Sequence, residues 1–152
     1  MESLKAETFE KPFPYMIIYD FYNEDELKLI WEELNFYTKP NKLLEAKDYG
    51  GVIDGTNAKA ICLDQIYKEH RNLSNILTVS RKLFNKDILK AIQEMGREFT
   101  IAPYVNYDIT KVRYYHDQEY YDPHTDRIYN FLGFSYFFKE PRKFDGGELF
   151  FP

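Results

Sequence analysis

Cysteine is nearly absent from this 152-residue chain, with Cys62 alone supplying a thiol. One thiol forms no intrachain disulfide, and nothing beside Cys62 is placed to lower its pKa, so it reads as a small buried hydrophobe. The lack of a disulfide framework suits a reducing, cytoplasmic compartment. Long apolar runs are missing too. No stretch approaches the roughly 20 apolar residues of a membrane-spanning helix, and Met1 to Lys11 alternates charges without the apolar core of a secretory signal. No membrane partner is expected. Positive charge is also in deficit, with 20 Lys and Arg against 25 Asp and Glu and a formal net charge of −5. A surface of that sign does not neutralise a phosphate backbone, which argues against nucleic acid as the partner.

Aromatic residues are abundant. Apolar residues make up 44% and charged residues 30%, as in globular proteins, but aromatics reach 18%, with 14 Tyr and 13 Phe. They crowd the chain from Phe99 onward, and aromatic side chains suit half-buried pleated surfaces, so this third is expected to be sheet. Length and composition fit a single domain over 1–152, with helical support over about 1–98 and strands over about 99–152.

Local signals fill in the order of elements. Tyr15 to Tyr19 is an apolar run behind two prolines and reads as a strand. Asn23 with Glu26 three residues on has the form of a capping box, and Leu27, Ile30, Trp31 and Leu34 continue it as one helical stripe. Turn chemistry from Thr38 to Ala60 predicts a long loop, a candidate lid. Asn72 to Met95 predicts two helices broken at Asn85. Beyond Gly96, short β-branched and aromatic runs predict strands at 100–106, 109–115, 129–138 and 147–151. Helices first and strands afterwards, without β-α alternation, point to an α+β protein with an antiparallel sandwich or jelly roll packed on helices.

The segment richest in chemistry is Asp122-Pro123-His124-Thr125-Asp126. Residues i and i+2 of an extended chain share a face, so His124 and Asp126 are spaced to offer an imidazole nitrogen and a carboxylate oxygen to one point. Such a pair is two thirds of a 2-His-1-carboxylate face, although a surface histidine beside an aspartate in a turn has the same sequence. Gly146 and Gly147 after Asp145 suit a turn with positive φ. His70 and His116 have neither a Cys pair nor a His-x3-His spacing and read as surface residues.

The surroundings of that segment carry a resemblance. Tyr114 ten residues ahead of His124, Tyr121 just before it, Tyr136 on a later aromatic run and Gly146-Gly147-Glu148-Leu149 stand in one order. In this arrangement the sequence resembles the Fe(II)- and 2-oxoglutarate-dependent dioxygenases, in particular the prolyl 4-hydroxylase-like branch. The resemblance implies a double-stranded β-helix, the jelly roll of that family, packed on the N-terminal helices. It implies His124 and Asp126 as two of three iron ligands and Tyr114 and Tyr136 as residues facing the 2-oxoglutarate pocket, with no catalytic group beyond the metal ligands. A buried dianion needs oriented donors, and a phenol supplies one without adding charge. Tyr115, Tyr120 and Tyr121 are candidates for a substrate groove or for packing, and neighbours on a strand point to opposite faces.

The implied activity couples decarboxylation of 2-oxoglutarate, giving succinate and CO2, to hydroxylation of a C–H bond. Its first substrate is a prolyl residue of a peptide or protein, with a small molecule as a further option; dioxygen is the co-substrate and ascorbate a candidate reductant. Two departures accompany the resemblance. His116-Asp117-Gln118-Glu119 stands where the family has a glycine-containing turn. The third iron ligand and the basic residue for the far carboxylate fall, by the resemblance, on strands after Pro152, so the C-terminal strands are expected to be missing from this chain, which by itself is expected to lack activity. Rivals are a non-catalytic jelly-roll binding module and a zinc-dependent hydrolase using His124 and Asp126.

Overall fold

The computed structural model describes residues 5–49, 55–100, 104, 108–125 and 131–151. The described chain begins with strands β1 (Ala6–Phe9) and β2 (Tyr15–Ile18) and helix α1 (Glu24–Tyr37). Helix α2 (Ala46–Tyr49), strand β3 (Lys59–Cys62) and helices α3 (Leu63–Ile66), α4 (Asn75–Ser80) and α5 (Lys86–Glu94) follow, and strand β4 (Lys111–Tyr114) comes last. None of these helices is long and apolar enough to cross a membrane.

Helix starts obey the local chemistry. The Asn23 side chain accepts from the Glu26 N–H at 2.9 Å, and the Glu26 carboxylate accepts from the Asn23 N–H at 2.9 Å. This reciprocal cap satisfies two amides that the first turn of α1 leaves open, each worth about 1 kcal/mol. Asn85 likewise accepts from the Asp87 N–H at 2.7 Å and starts α5, so the break expected at that residue is present. Helix α4 has a cap assembled from two parts of the chain. Buried Ser74 accepts from the Leu77 N–H and donates its hydroxyl to Glu33 of α1, whose second carboxylate oxygen accepts from the Ile76 N–H at 2.8 Å. A carboxylate from one helix thus sits on the positive end of another.

Two small antiparallel sheets accompany the helices. Strands β1 and β2 pair through Ala6↔Ile18 to Phe9↔Tyr15, while β3 and β4 pair through Lys59↔Tyr114 to Cys62↔Lys111. Alternation along β3 and β4 divides their faces. Ile61 and Val112 are opposite each other and join Ile30, Leu63, Ile76 and Leu77 in the main core, between the sheet, α1 and α4. Ala60 and Arg113 are also opposite each other, and Ala60 belongs to a smaller cluster with Ala46 and Tyr49. Ile88 and Ile92 of α5 pack on Met16 and Ile18 of β2. Cys62 is buried, as expected of a small core residue.

An ionic lattice fastens the approach to β4. Arg71 pairs with Asp64 and, at 2.9 Å, with Asp108, which Arg81 also reaches at 2.9 Å. The Asp64 carboxylate accepts from the Thr110 N–H, fixing where β4 begins.

The described architecture is mixed helix and strand, with both sheets limited to two strands. Residues 131–151 run without helix or strand, so no jelly-roll barrel appears among the described residues. Most of the expected strand 100–106 and the start of the expected strand 129–138 lie outside the described residues. Gly146 and Gly147 have φ of +89° and +79°, the left-handed turn expected of them. Phe137 packs against the main core and meets Trp31 edge-on at 5.9 Å, whereas Phe134, Tyr136, Phe138, Phe150 and Phe151 are exposed.

Candidate functional site

His124 follows a segment tied down by its backbone. The Asp122 N–H donates to the Gly55 carbonyl at 2.7 Å, and the Tyr120 N–H donates to the Asn57 side chain at 2.8 Å. Buried Thr56 donates its hydroxyl to the Tyr120 carbonyl at 2.7 Å and accepts from the Ala58 N–H at 3.1 Å. Residues 55–58 therefore serve as a scaffold for the His124 segment. The expected lid over 38–60 is anchored elsewhere as well, since Leu44 and Ala60 exchange both backbone hydrogen bonds; residues 50–54 lie outside the described residues.

On this support the His124 ring is exposed, and its Nδ1 stands 2.8 Å from the Asp122 carbonyl oxygen. A carbonyl oxygen only accepts, so this contact selects the tautomer with the proton on Nδ1 and the lone pair on Nε2. Metal-ligating histidines are commonly oriented by such a contact. The ring also lies against Tyr121, with centroids 4.1 Å apart. Asp126, the other expected ligand, lies outside the described residues, and no group of three His, Cys, Asp or Glu able to hold a metal occurs among the described residues.

The expected pocket tyrosines separate. Tyr114 is on the β4 face that also carries Val112, stacks edge-on against His116 at 4.6 Å, and borders a shallow cleft with Lys39, Lys59 and His116. Tyr115 continues the face of Arg113, whose Nη1 donates to its hydroxyl at 3.3 Å. Partial burial, and then the charge of Tyr115, raise the Tyr136 phenol above its ordinary value. Tyr114 and Arg113, adjacent on β4, face opposite sides of the strand.

Arg113 is the residue that the sequence reading missed. Its guanidinium carbon is 4.0 Å from the centroid of the Tyr121 ring and 6.0 Å from that of buried Tyr49. Ala60 across the ladder leaves room for it. Its Nε is buried and has no hydrogen-bond partner among the described residues, a deficit that costs about 1–3 kcal/mol unless it is met. Burial opposes the charge on Arg113, yet the hydrogen bond to Tyr115 and the surrounding phenols outweigh it and raise the pKa. Burial raises the Tyr49 phenol while Arg113 pulls it down. The one available signal was the Arg113-x-Tyr115 alternation on a strand, which places a cation and a phenol on one face.

The turn between Tyr115 and Tyr120 closes where the resemblance would have a glycine. The Glu119 N–H donates to the His116 carbonyl at 3.1 Å, and Gln118 adopts a φ of +62°. A left-handed conformation is one that glycine takes without steric cost, so the turn keeps such a geometry with a bulkier residue. His70 and His116 are exposed, as expected. No family model, curated protein or solved structure matches the chain.

Proposed function

We propose that this chain belongs to an Fe(II)- and 2-oxoglutarate-dependent dioxygenase that hydroxylates a C–H bond, with a prolyl residue of a peptide or protein as the first substrate to test. The observation that carries the reading is the orientation of His124, whose Nδ1 contact with the Asp122 carbonyl makes Nε2 the donor nitrogen. Imidazole nitrogen with carboxylate oxygen is a donor set that suits non-haem iron, so the described residue fits the group at its position. In this proposal His124 and Asp126 hold the metal as two of its three protein ligands.

Bound Fe(II) would supply the redox centre coupling 2-oxoglutarate decarboxylation to hydroxylation. The chain's own residues bind and orient. The 55–58 scaffold holds the His124 segment in place, and the Tyr121 ring restricts the imidazole. Tyr114 and Tyr136 keep the co-substrate roles that the resemblance gave them.

The test is succinate formation from 2-oxoglutarate by the purified full-length protein that carries this chain, with Fe(II), dioxygen and a proline-containing peptide. Turnover that needs Fe(II) and disappears in His124→Ala is the expected result. Zinc-dependent hydrolysis lost in the same variant would replace the reading with the hydrolase, and the absence of any turnover would favour the non-catalytic binding module.

A further inference from the structure

We propose that Arg113 is a positioning residue for His124, acting through the ring of Tyr121. The inference deepens the metal-site reading above and rests on it for the role of Fe(II), while the contacts among the three side chains stand without iron.

The three groups form one chain of contacts. The Arg113 guanidinium carbon is 4.0 Å from the centre of the Tyr121 ring, and the His124 imidazole centre is 4.1 Å from that same ring centre, with the two ring planes 42° apart. Tyr121 is half-buried and His124 exposed, so the phenol carries the contact from the interior outward. A cation over an aromatic face is attracted by the ring's quadrupole, and more strongly where water is excluded. Arg113 meets that condition, because its Nε is buried and has no hydrogen-bond partner among the described residues. An apolar side chain at this position would pack on the rings without stranding a donor, so packing alone does not account for the cation.

Both ends of the chain are anchored. Arg113 stands on β4 opposite Ala60, its Nη1 donates to the Tyr115 hydroxyl at 3.3 Å, and its guanidinium lies 6.0 Å from the ring of buried Tyr49. The Tyr49 hydroxyl donates to the Ala58 carbonyl at 3.3 Å, and the Ala58 N–H donates to Thr56, which bridges the Tyr121 backbone. Tyr121 is thus held by Thr56 at its main chain and by Arg113 at its ring. At the far end, the Asp122 carbonyl fixes Nδ1 of His124, and the Tyr121 ring fixes the plane of the imidazole. Contacts that orient a ligating histidine are typically worth 10- to 100-fold in metal affinity.

The test is long-range proton–nitrogen correlation of the His124 ring in the metal-free, full-length protein that carries this chain, followed by anaerobic Fe(II) titration of the same variants. In Arg113→Met the ring should lose its single tautomer, and Fe(II) should bind on the order of 10-fold more weakly. Arg113→Lys, which keeps a cation for the ring, should recover most of both losses. Tyr121→Leu should reproduce the Arg113→Met behaviour, and Tyr121→Phe, which keeps the ring, should not. The double variant Arg113→Met/Tyr121→Leu should be no worse than Tyr121→Leu alone, because the arginine acts through that ring. Trp31 emission reports folding, and if Arg113→Met does not fold, Arg113→Gln takes its place, keeping a donor for Tyr115 without the charge. An unchanged His124 ring in a folded, uncharged Arg113 variant, no recovery in Arg113→Lys, or additive losses in the double variant overturns the proposal. Absence of Fe(II) binding by the unaltered protein counts against the dioxygenase reading instead, since the ring is observed without metal.

Discussion

The Nδ1 of His124 stands 2.8 Å from the carbonyl oxygen of Asp122, two residues back along its own chain. The contact is short enough to fix the imidazole tautomer before any ligand arrives. Long-range proton–nitrogen correlation of the His124 ring at neutral pH should show the proton on Nδ1. A ring protonated only on Nε2 would remove the orientation on which the metal reading rests.

Thr56 joins the scaffold to the His124 segment through one hydroxyl that both donates and accepts. Replacing it with the isosteric valine leaves the Tyr120 carbonyl and the Ala58 N–H without that partner. Thr56→Val should cost about 1–3 kcal/mol, measured by urea unfolding with Trp31 fluorescence. Amide exchange at Tyr120 and Asp122 should accelerate more than at Leu77 in the core. Uniform acceleration would show that Thr56 does not hold this segment in particular.

Gln118 pays a conformational cost at φ +62° that glycine would avoid. Gln118→Gly is therefore expected to stabilise the protein, by about 0.5–1 kcal/mol, because the backbone carbonyl that accepts from Asn57 is retained. A loss of stability in the same denaturation assay would mean that the Gln118 side chain contributes more than its backbone strain removes.

Glu33 is the bond between α1 and α4, accepting from the Ser74 hydroxyl and the Ile76 N–H. Glu33→Gln loses the charge at the start of α4 and should destabilise by about 1–3 kcal/mol. Its exposed neighbour Glu32→Gln is the control, with a change within about 0.5 kcal/mol. Equal effects from the two would indicate a general charge effect in place of a cap.

Tyr37 is buried in the main core and donates to the Tyr67 hydroxyl at 2.8 Å. Burial and then that hydrogen bond push its phenol far above the ordinary range. A phenol raised on folding contributes stability that is fully present below its unfolded pKa of about 10 and is lost as pH rises beyond it. Unfolding free energy should therefore fall with alkalinity above about pH 10, and Tyr37→Phe should flatten that limb. An unchanged alkaline slope in the variant would assign the loss to other groups.

What the sequence made legible was local. Asn23 with Glu26, Asn85 before α5, and Gly146-Gly147 each sit within a few residues of the groups they satisfy, so their chemistry is written in adjacent positions. Glu33 and Ser74 are 41 residues apart, and helix periodicity assigns Glu33 only to a half-polar face. The Arg113 cluster draws on α2, β4 and the segment after it, a juxtaposition that no single stretch encodes. The barrel expected from the aromatic-rich third remains an expectation drawn from resemblance, since residues 131–151 carry no strand.

Strand β4 divides its labour by parity: Val112 enters the main core and Arg113 enters the phenol cluster from the next position. A slip of one residue against β3 would turn a guanidinium toward Ile30 and Leu77 and a valine toward Tyr121. Mispairing would thus disturb the main core and the phenol cluster together, and a chain with a sound core but a misaimed arginine is not an accessible intermediate outcome. The Asp64 contact to the Thr110 N–H, which sets where β4 starts, is in that sense a proofreading contact for the strand register.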